Sequence, residues 1–262
     1  MIDKERITSH IKDLDLKKTV YKVIDKALGV LKNHDYRCTD FLNPYELKNS
    51  IAALNSIDDI KYSVCGGYDE SERKVIYIYP YYLFEEELEC PIGALTIEGN
   101  FKFKEVSHKD YLGSILGLGI KREKIGDILI HTNFCQVVVK NDIEDYIILN
   151  MNKVARNNIS VKEISLSDIK KVDIKYKEIS FTVSSSRIDS IVSSIYNISR
   201  QEANKIISSN RVYIDYEPIN NVSKKVDTNS LISVRGKGRC IISNIGDVNK
   251  KGRLRIKAKI IL

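Results

Sequence analysis

Apolar residues recur at three- and four-residue spacings over Val20, Val23, Ile24, Ala27, Leu28 and Leu31, which predicts a helix with one buried face near the start of the chain. Farther on, the pattern changes to short β-rich runs. Val75-Ile-Tyr-Ile-Tyr79, Ala94-Leu-Thr-Ile97, Gln136-Val-Val-Val139 and Tyr146-Ile-Ile-Leu149 read as strands, with a helix predicted over Lys109 to Leu118. Residues 164–180 are charged and β-prone, and read as a terminal strand or connector. Helical spacing then returns: Ile188, Ile191, Val192 and Ile195 fall at i, i+3, i+4 and i+7, so Arg187 to Tyr196 should be amphipathic, with Arg187 and Asp189 near its start. Ser199 followed at the third position by Glu202 is a capping-box pattern that opens a second helix. Ala203, Ile206 and Ile207 share its apolar face, and Arg200, Gln201, Asn204, Lys205 and Ser208 spread over the opposite one. Arg211-Val-Tyr-Ile-Asp215 alternates like a strand and turns at 216–218. Leu231-Ile-Ser-Val234 follows, and a Gly-Lys-Gly segment leads into Cys240-Ile-Ile242.

Strands and helices interleaved in this way predict an α+β fold. Shifts in pattern and charge divide the chain into residues 1–75, an α+β subdomain; 76–182, a second α+β domain; and 183–262. The last boundary is the clearest. From Val183 to Leu262 there are 15 Lys+Arg against 6 Asp+Glu, a net of +9, whereas residues 1–182 carry 27 against 29, a net of −2. Basicity confined to one module is the electrostatic footprint of a nucleic-acid binder.

Composition excludes several classes. No apolar run approaches the roughly 20 residues of a membrane span, and the start lacks a signal-peptide core, so a cytoplasmic, membrane-free protein is expected. Cys38, Cys65, Cys90, Cys135 and Cys240 are odd in number and never spaced C-x-x-C. They read as reduced, mostly buried thiols, with neither disulfides nor zinc. His10, His34, His108 and His131 show no metal spacing.

Arg200 and Lys205 on a helix edge, with Arg235, Lys237 and Arg239 on a glycine-loosened strand, can neutralise phosphates along one groove. Because Arg200 lies off the apolar face, Arg200→Ala is expected to weaken binding without unfolding the protein. Asp189 reads better as a cap or as the partner of an arginine. Lys250, Lys251, Arg253, Arg255, Lys257 and Lys259 alternate with apolar residues, which fits either a phosphate track or a solvated strand face. A second basic group, His108, Lys109, Lys121, Arg122 and Lys124, flanks the predicted helix at 109–118, where it serves either phosphates or the helix dipole. Phe41 and Tyr68 are candidates for base stacking, and more often such residues are core.

Arg187-Ile-Asp189, Ser199-Arg-Gln-Glu-Ala203, Val212-Tyr-Ile-Asp-Tyr216 and Val234-Arg-Gly-Lys-Gly238 together resemble the S-four-type (alpha-L) RNA-binding domain. The departure is Asp215-Tyr216 where that domain usually has Asn-Gly. Thr39-Asp-Phe-Leu-Asn-Pro44, residues 66–73, His108-Lys-Asp-Tyr-Leu-Gly-Ser114 and residues 118–127 resemble the bacterial YlmH family, so the resemblance spans nearly the whole chain. It implies an RRM-like middle domain, no cofactor, and binding to ribosomal RNA and tRNA of the large ribosomal subunit in quality control of stalled nascent chains. The RNA-binding residues it points to are Arg187, Ser199, Arg200, Gln201, Asn204, Lys205, Arg235, Lys237 and Arg239. The expected protein is not an enzyme. The alternatives are an RNA-modifying enzyme of the pseudouridine synthase or methyltransferase type, or a scaffold linked to cell division. Against the enzyme, Leu116-Gly-Leu-Gly119 lacks the third glycine of a nucleotide-binding loop, and the H-I-G-H and K-M-S-K-S motifs are absent.

Overall fold

A computed structural model describes residues 3–101, 106–249 and 252–262. The chain forms two compact units, Met1–Val172 and Asp173–Leu262.

The N-terminal unit begins with α1 (Lys4–Ile7) and α2 (Leu14–Asn33). The Asp13 carboxylate accepts the Asp15 and Leu16 N–H groups at the start of α2, and His34, at φ 58°, ends it. Leu16, Val20, Val23, Ile24, Ala27 and Val30 are buried, while the predicted face members Leu28 and Leu31 lie at its edge. α2 packs on α3 (Pro44–Leu54), which opens with an Asn43–Glu46 capping box and proline in the first turn. Both helices pack against the three-stranded sheet of β1 (Arg37–Cys38), β2 (Ile60–Cys65) and β3 (Val75–Pro80), in the order β1-β3-β2. The expected division between residues 75 and 76 falls inside β3.

The second part of this unit contains β4 (Ile92–Gly99), α4 (His108–Gly117), β5 (Ile125–Ile130), β6 (Phe134–Lys140), α5 (Glu144–Asn150), β7 (Lys153–Val154) and β8 (Asn157–Ile164). With sheet order β5-β6-β4-β8-β7, and apart from the two-residue β7, this is the β-α-β-β-α-β arrangement that RRM-type domains use. Residues 146–149, predicted as a strand, lie in α5. Glu144 and Asp145 fill its first turn, where acids are favoured, and only Ile147 of the α5 residues is fully buried. An apolar run this short does not separate strand from helix by itself.

One face of the sheet presents Leu95, Ile97, Val137 and Val139 to Tyr111 of α4 and Ile147 of α5. Its other face is covered as well. Ile92 and Val138 pack there against Phe41, Val75, Tyr77 and Tyr79. Phe41 is therefore core, and the sheet surface on which RRM-type domains stack bases is filled by the protein's own side chains.

The C-terminal unit contains β9 (Tyr176–Val183), α6 (Ile188–Ile195), α7 (Arg200–Ser208), β10 (Val212–Ile214), β11 (Glu217–Ile219), β12 (Leu231–Val234), β13 (Gly238–Val248) and β14 (Leu254–Ile261). The antiparallel sheet runs β11-β10-β12-β13-β14-β9. β9 pairs with β14 along its length, from Tyr176–Ile261 to Val183–Leu254, so the unit begins ahead of the charge shift at residue 183. Ile188, Ile191, Val192, Ala203 and Ile207 pack against Val212, Ile232, Cys240, Ile242 and Ile256. Each large side chain buried there contributes about 1.5–3 kcal/mol. Packing therefore holds α6, whose 8 residues would be marginal as an isolated helix.

Asp215 and Tyr216, at φ 49° and 68°, form the two-residue turn between β10 and β11. The turn comes one step earlier than expected, and Pro218 lies within β11. Asp215 steadies it by accepting the Leu231 N–H at 2.8 Å.

All five cysteines are free thiols. Cys135 and Cys240 are buried, Cys38 and Cys65 half-buried and Cys90 exposed, so fewer are buried than expected. Among the described residues no helix is long and apolar enough to cross a membrane, and no group of three or more His, Cys, Asp or Glu is placed to hold a metal.

Candidate nucleic-acid interface

Arg187 precedes α6 and Arg200 opens α7, so the short connection between these helices brings both arginines to Asp189. Arg187 Nε and Nη2 donate to the two Asp189 oxygens at 3.1 and 3.0 Å, and Arg200 Nη2 donates to Oδ2 at 2.8 Å. The carboxylate also accepts the Ser190 N–H at 2.8 Å. Its side chain is 3% exposed, against 37% for Arg187 and 53% for Arg200. Burial pushes the Asp189 pKa up, but the donors from Arg187 and Arg200 together overcome this and hold it below its ordinary value. The bond to Asp189 raises Arg187 in turn. One buried anion thus orients two guanidiniums whose other N–H groups reach the surface, leaving a net charge of +1. Arg200 is off the apolar face, as expected, and is in addition one of the partners of a buried charge.

Ser199 caps α7, its Oγ accepting the Glu202 N–H at 3.1 Å. The Glu202 carboxylate, expected to complete the capping box, lies 3.7 Å from Lys237 Nζ. That ion pair and the Tyr196 hydroxyl, which donates to the Gly238 carbonyl at 3.0 Å, tie the β12–β13 turn to the helices. Gly236 and Gly238, at φ 84° and 109°, allow the turn to be this tight. Arg235 and Lys237 are carried at its tip, and Arg239 is the second residue of β13. Arg211 joins them: its Nη2 donates to the Arg235 carbonyl at 3.2 Å, and the Arg235 N–H donates back to the Arg211 carbonyl at 2.9 Å. Arg211 opens the alternating run 211–215, but its meeting with Arg235 depends on the pairing of β10 with β12, which the sequence does not display. Gln201 and Lys205 are exposed on α7, and Asn204 is half-buried with an Oδ1 that lacks a hydrogen-bond partner among the described residues. The interface is thus a cationic edge formed by two helix starts and one hairpin. Lys205 and Arg235 have side chains without an ionic partner among the described residues.

The second basic group is not gathered. His108 and Lys109 open α4, whereas Lys121, Arg122 and Lys124 follow its other end. Arg122 turns inward and donates to the Ile125 and Gly126 carbonyls; burial first, then the nearby Arg73 charge, lower its pKa to about 10. Lys124 is bound to Asp142 and lies 3.4 Å from Asp40. Lys109 and Lys121 remain exposed. Ser107 N–H and Oγ–H donate to the Asp110 carboxylate at 2.8 and 2.6 Å, so Asp110 caps α4.

Several segments that carried the family resemblance meet at one structural node. Arg73 donates to the Phe41 carbonyl at 2.8 Å and the Ile125 carbonyl at 3.1 Å. Asp127 accepts from the Tyr68 hydroxyl at 2.8 Å, the Glu72 N–H at 2.6 Å and the Arg73 N–H at 3.0 Å. Burial and then the Asp127 charge raise the Tyr68 pKa. These bonds commit Tyr68 and Arg73 to structure.

Three family models match the chain: "YlmH, N-terminal" over residues 15–83, "Putative RNA-binding domain in YlmH" over 86–168, and "S4 domain" over 186–232. The chain is 31% identical over 237 residues to "Ribosome-associated protein quality control protein P2" of Bacillus subtilis (strain 168), covering 89% of this chain and 92% of that protein. Among solved structures it resembles "Cell division protein ylmH from Streptococcus pneumoniae", with a TM-score of 0.51 and 24% identity over 62% of this chain and 96% of that one, a likeness of fold.

Proposed function

Because this chain belongs to the YlmH family and carries its RNA-binding domains, we propose that it acts in ribosome-associated quality control, gripping ribosomal RNA and tRNA on the large ribosomal subunit. It works by contact, with no bond made or broken. The observation that carries this reading is the cationic edge of the C-terminal unit, where Asp189 fixes Arg187 and Arg200 while Lys205 and Arg235 stay exposed. Oriented guanidiniums and flexible lysines bind phosphates, and such contacts position RNA without reading its sequence. The name of the Bacillus subtilis relative supports the ribosomal setting.

The test is sedimentation of the tagged protein through a sucrose gradient of cell lysate, wild type beside Lys205→Ala/Arg235→Ala. These exposed side chains hold no buried partner, so stability should stay within about 0.5 kcal/mol of wild type for each change. Wild-type protein should travel with large subunits, and the variant should shift toward the top of the gradient. Wild-type protein remaining at the top, or a folded variant that sediments unchanged, would refute the reading.

A further inference from the structure

We infer that the C-terminal unit has a second phosphate-binding surface, on the face of its sheet turned away from α6 and α7, which takes the backbone of a single RNA strand. The inference rests on reading the protein as an RNA binder. Ile256 and Ala258 of β14 are buried against the helices with Ile242 of β13, so strand alternation sends Arg255, Lys257 and Lys259 to the opposite face. The register agrees: Lys257 stands across from Asn244 on β13 and Ser180 on β9, and Arg255 stands across from Thr182.

This face is not a flat solvated strand. β13 slips register against β14 twice, between Ile242 and Asn244 and again between Ile245 and Val248. Such irregularities bend a strand and sharpen its twist. Where they fall there is a cavity of about 510 Å³, lined by Thr182, Asn244, Asp247, Arg255 and Lys257 among others. Arg255 and Lys257 are exposed and have no ionic partner among the described residues. Lys259 differs, lying 3.7 Å from Glu178.

Alternate side chains on a strand are about 6.8 Å apart, close to the step between neighbouring phosphates on one nucleic-acid strand. Two adjacent phosphates can therefore meet Arg255 and Lys257, while the amide of Asn244 and the hydroxyl of Thr182 offer further donors beside them. Asp247 would repel a phosphate, but as an acceptor it suits a ribose hydroxyl or an exocyclic amine. Lys250 and Lys251, which extend the same basic run, lie outside the described residues.

The experiment measures binding of a fluorescein-labelled oligouridylate to the full chain across a salt series. Arg255→Thr/Lys257→Thr, chosen because threonine suits an exposed strand position, is compared with wild type and with Lys205→Ala/Arg235→Ala. Loss of two single-strand phosphate contacts should reduce the slope of log affinity against log salt by about 1.4 and weaken binding on the order of tenfold at about 0.1 M salt. An unchanged slope and affinity in the folded strand variant overturns the inference and leaves the groove to an acidic protein surface. Failure of wild-type protein to bind the oligonucleotide overturns it too, whatever the sucrose gradient shows. Weakening by the strand variant alone upholds this surface and counts against the helix-and-hairpin edge.

Discussion

In the C-terminal unit, Arg187 and Arg200 share one buried carboxylate and keep part of each guanidinium at the surface. In the N-terminal unit, Arg73 and Arg122 turn inward onto the carbonyls of Phe41, Ile125 and Gly126. Both arrangements satisfy arginine donors, but only the first leaves some of them for a ligand. The count of basic residues in a segment is therefore a poor measure of the charge it offers. Lys124, held by Asp142 and Asp40, makes the same point.

The largest effect should come from removing both arginines from Asp189. Arg187→Ala/Arg200→Ala leaves a nearly buried carboxylate supported only by Ser190, and breaking a buried pair in this way costs about 3–5 kcal/mol. Chemical denaturation should show the C-terminal unit strongly destabilised, with either single change costing much less because one arginine remains. Adding Asp189→Asn to the double variant should recover a large share of the loss. A double variant as stable as wild type would mean that the clamp holds nothing together. For the same reason this double variant is a poor probe of RNA binding, since lost affinity and lost fold would look alike.

On the N-terminal side, Arg73→Ala should cost about 2–3 kcal/mol, because the Phe41 and Ile125 carbonyls lose a charged donor. It should nevertheless leave the salt dependence of RNA binding unchanged at temperatures where the protein is folded. A flatter salt dependence would show that Arg73 reaches phosphate, and that the contrast between the units is overdrawn.

Much of the C-terminal site was legible because its signals are local. The i, i+3, i+4, i+7 series from Ile188, the Ser199 cap and the Val234-Arg-Gly-Lys-Gly238 turn each specify short-range geometry, and the observed elements follow them. What escaped depends on distant partners. That Arg200 serves Asp189 requires α6 and α7 to be packed, and that Arg211 meets Arg235 requires the β10–β12 register. In the N-terminal unit the helix from Leu14 and the strands at 75–80, 92–99 and 134–140 follow their local patterns, but the roles of its arginines and aromatics are of this second kind. Phe41 becomes core because β3 of the three-stranded sheet packs over the RRM-like sheet, and Arg122 turns inward because carbonyls 3 and 4 residues ahead face it. The helix at 144–150 was misread because the apolar run Tyr146-Ile-Ile-Leu149 carries no period of its own, although Tyr146 and Leu149 prove exposed.

Two carboxylates, one in each unit, differ in the same way. Asp189 is paired and its pKa is lowered, so its contribution to stability is present above the ordinary aspartate pKa and is lost as pH falls through the lower folded value. Glu144 behaves oppositely. Its Oε1 is buried without a hydrogen-bond partner among the described residues, and burial, followed by the charges of Glu163, Asp145 and Cys90, raises its pKa to about 7. The folded state then holds a proton that the unfolded chain has already released, so stability falls as pH rises from about 4.5 to about 7 and is flat above. Solvent still reaches this side chain, which limits the effect to about 1 kcal/mol. Melting temperatures at pH 5 and pH 8, wild type beside Glu144→Gln, isolate it. The glutamine cannot ionise, so the variant should match wild type at the lower pH and exceed it at the higher one. An equal pH response in both proteins would remove Glu144 as the source. A similar test on Asp189 should show its effect only below about pH 4, so the two units would lose stability at opposite ends of the pH range.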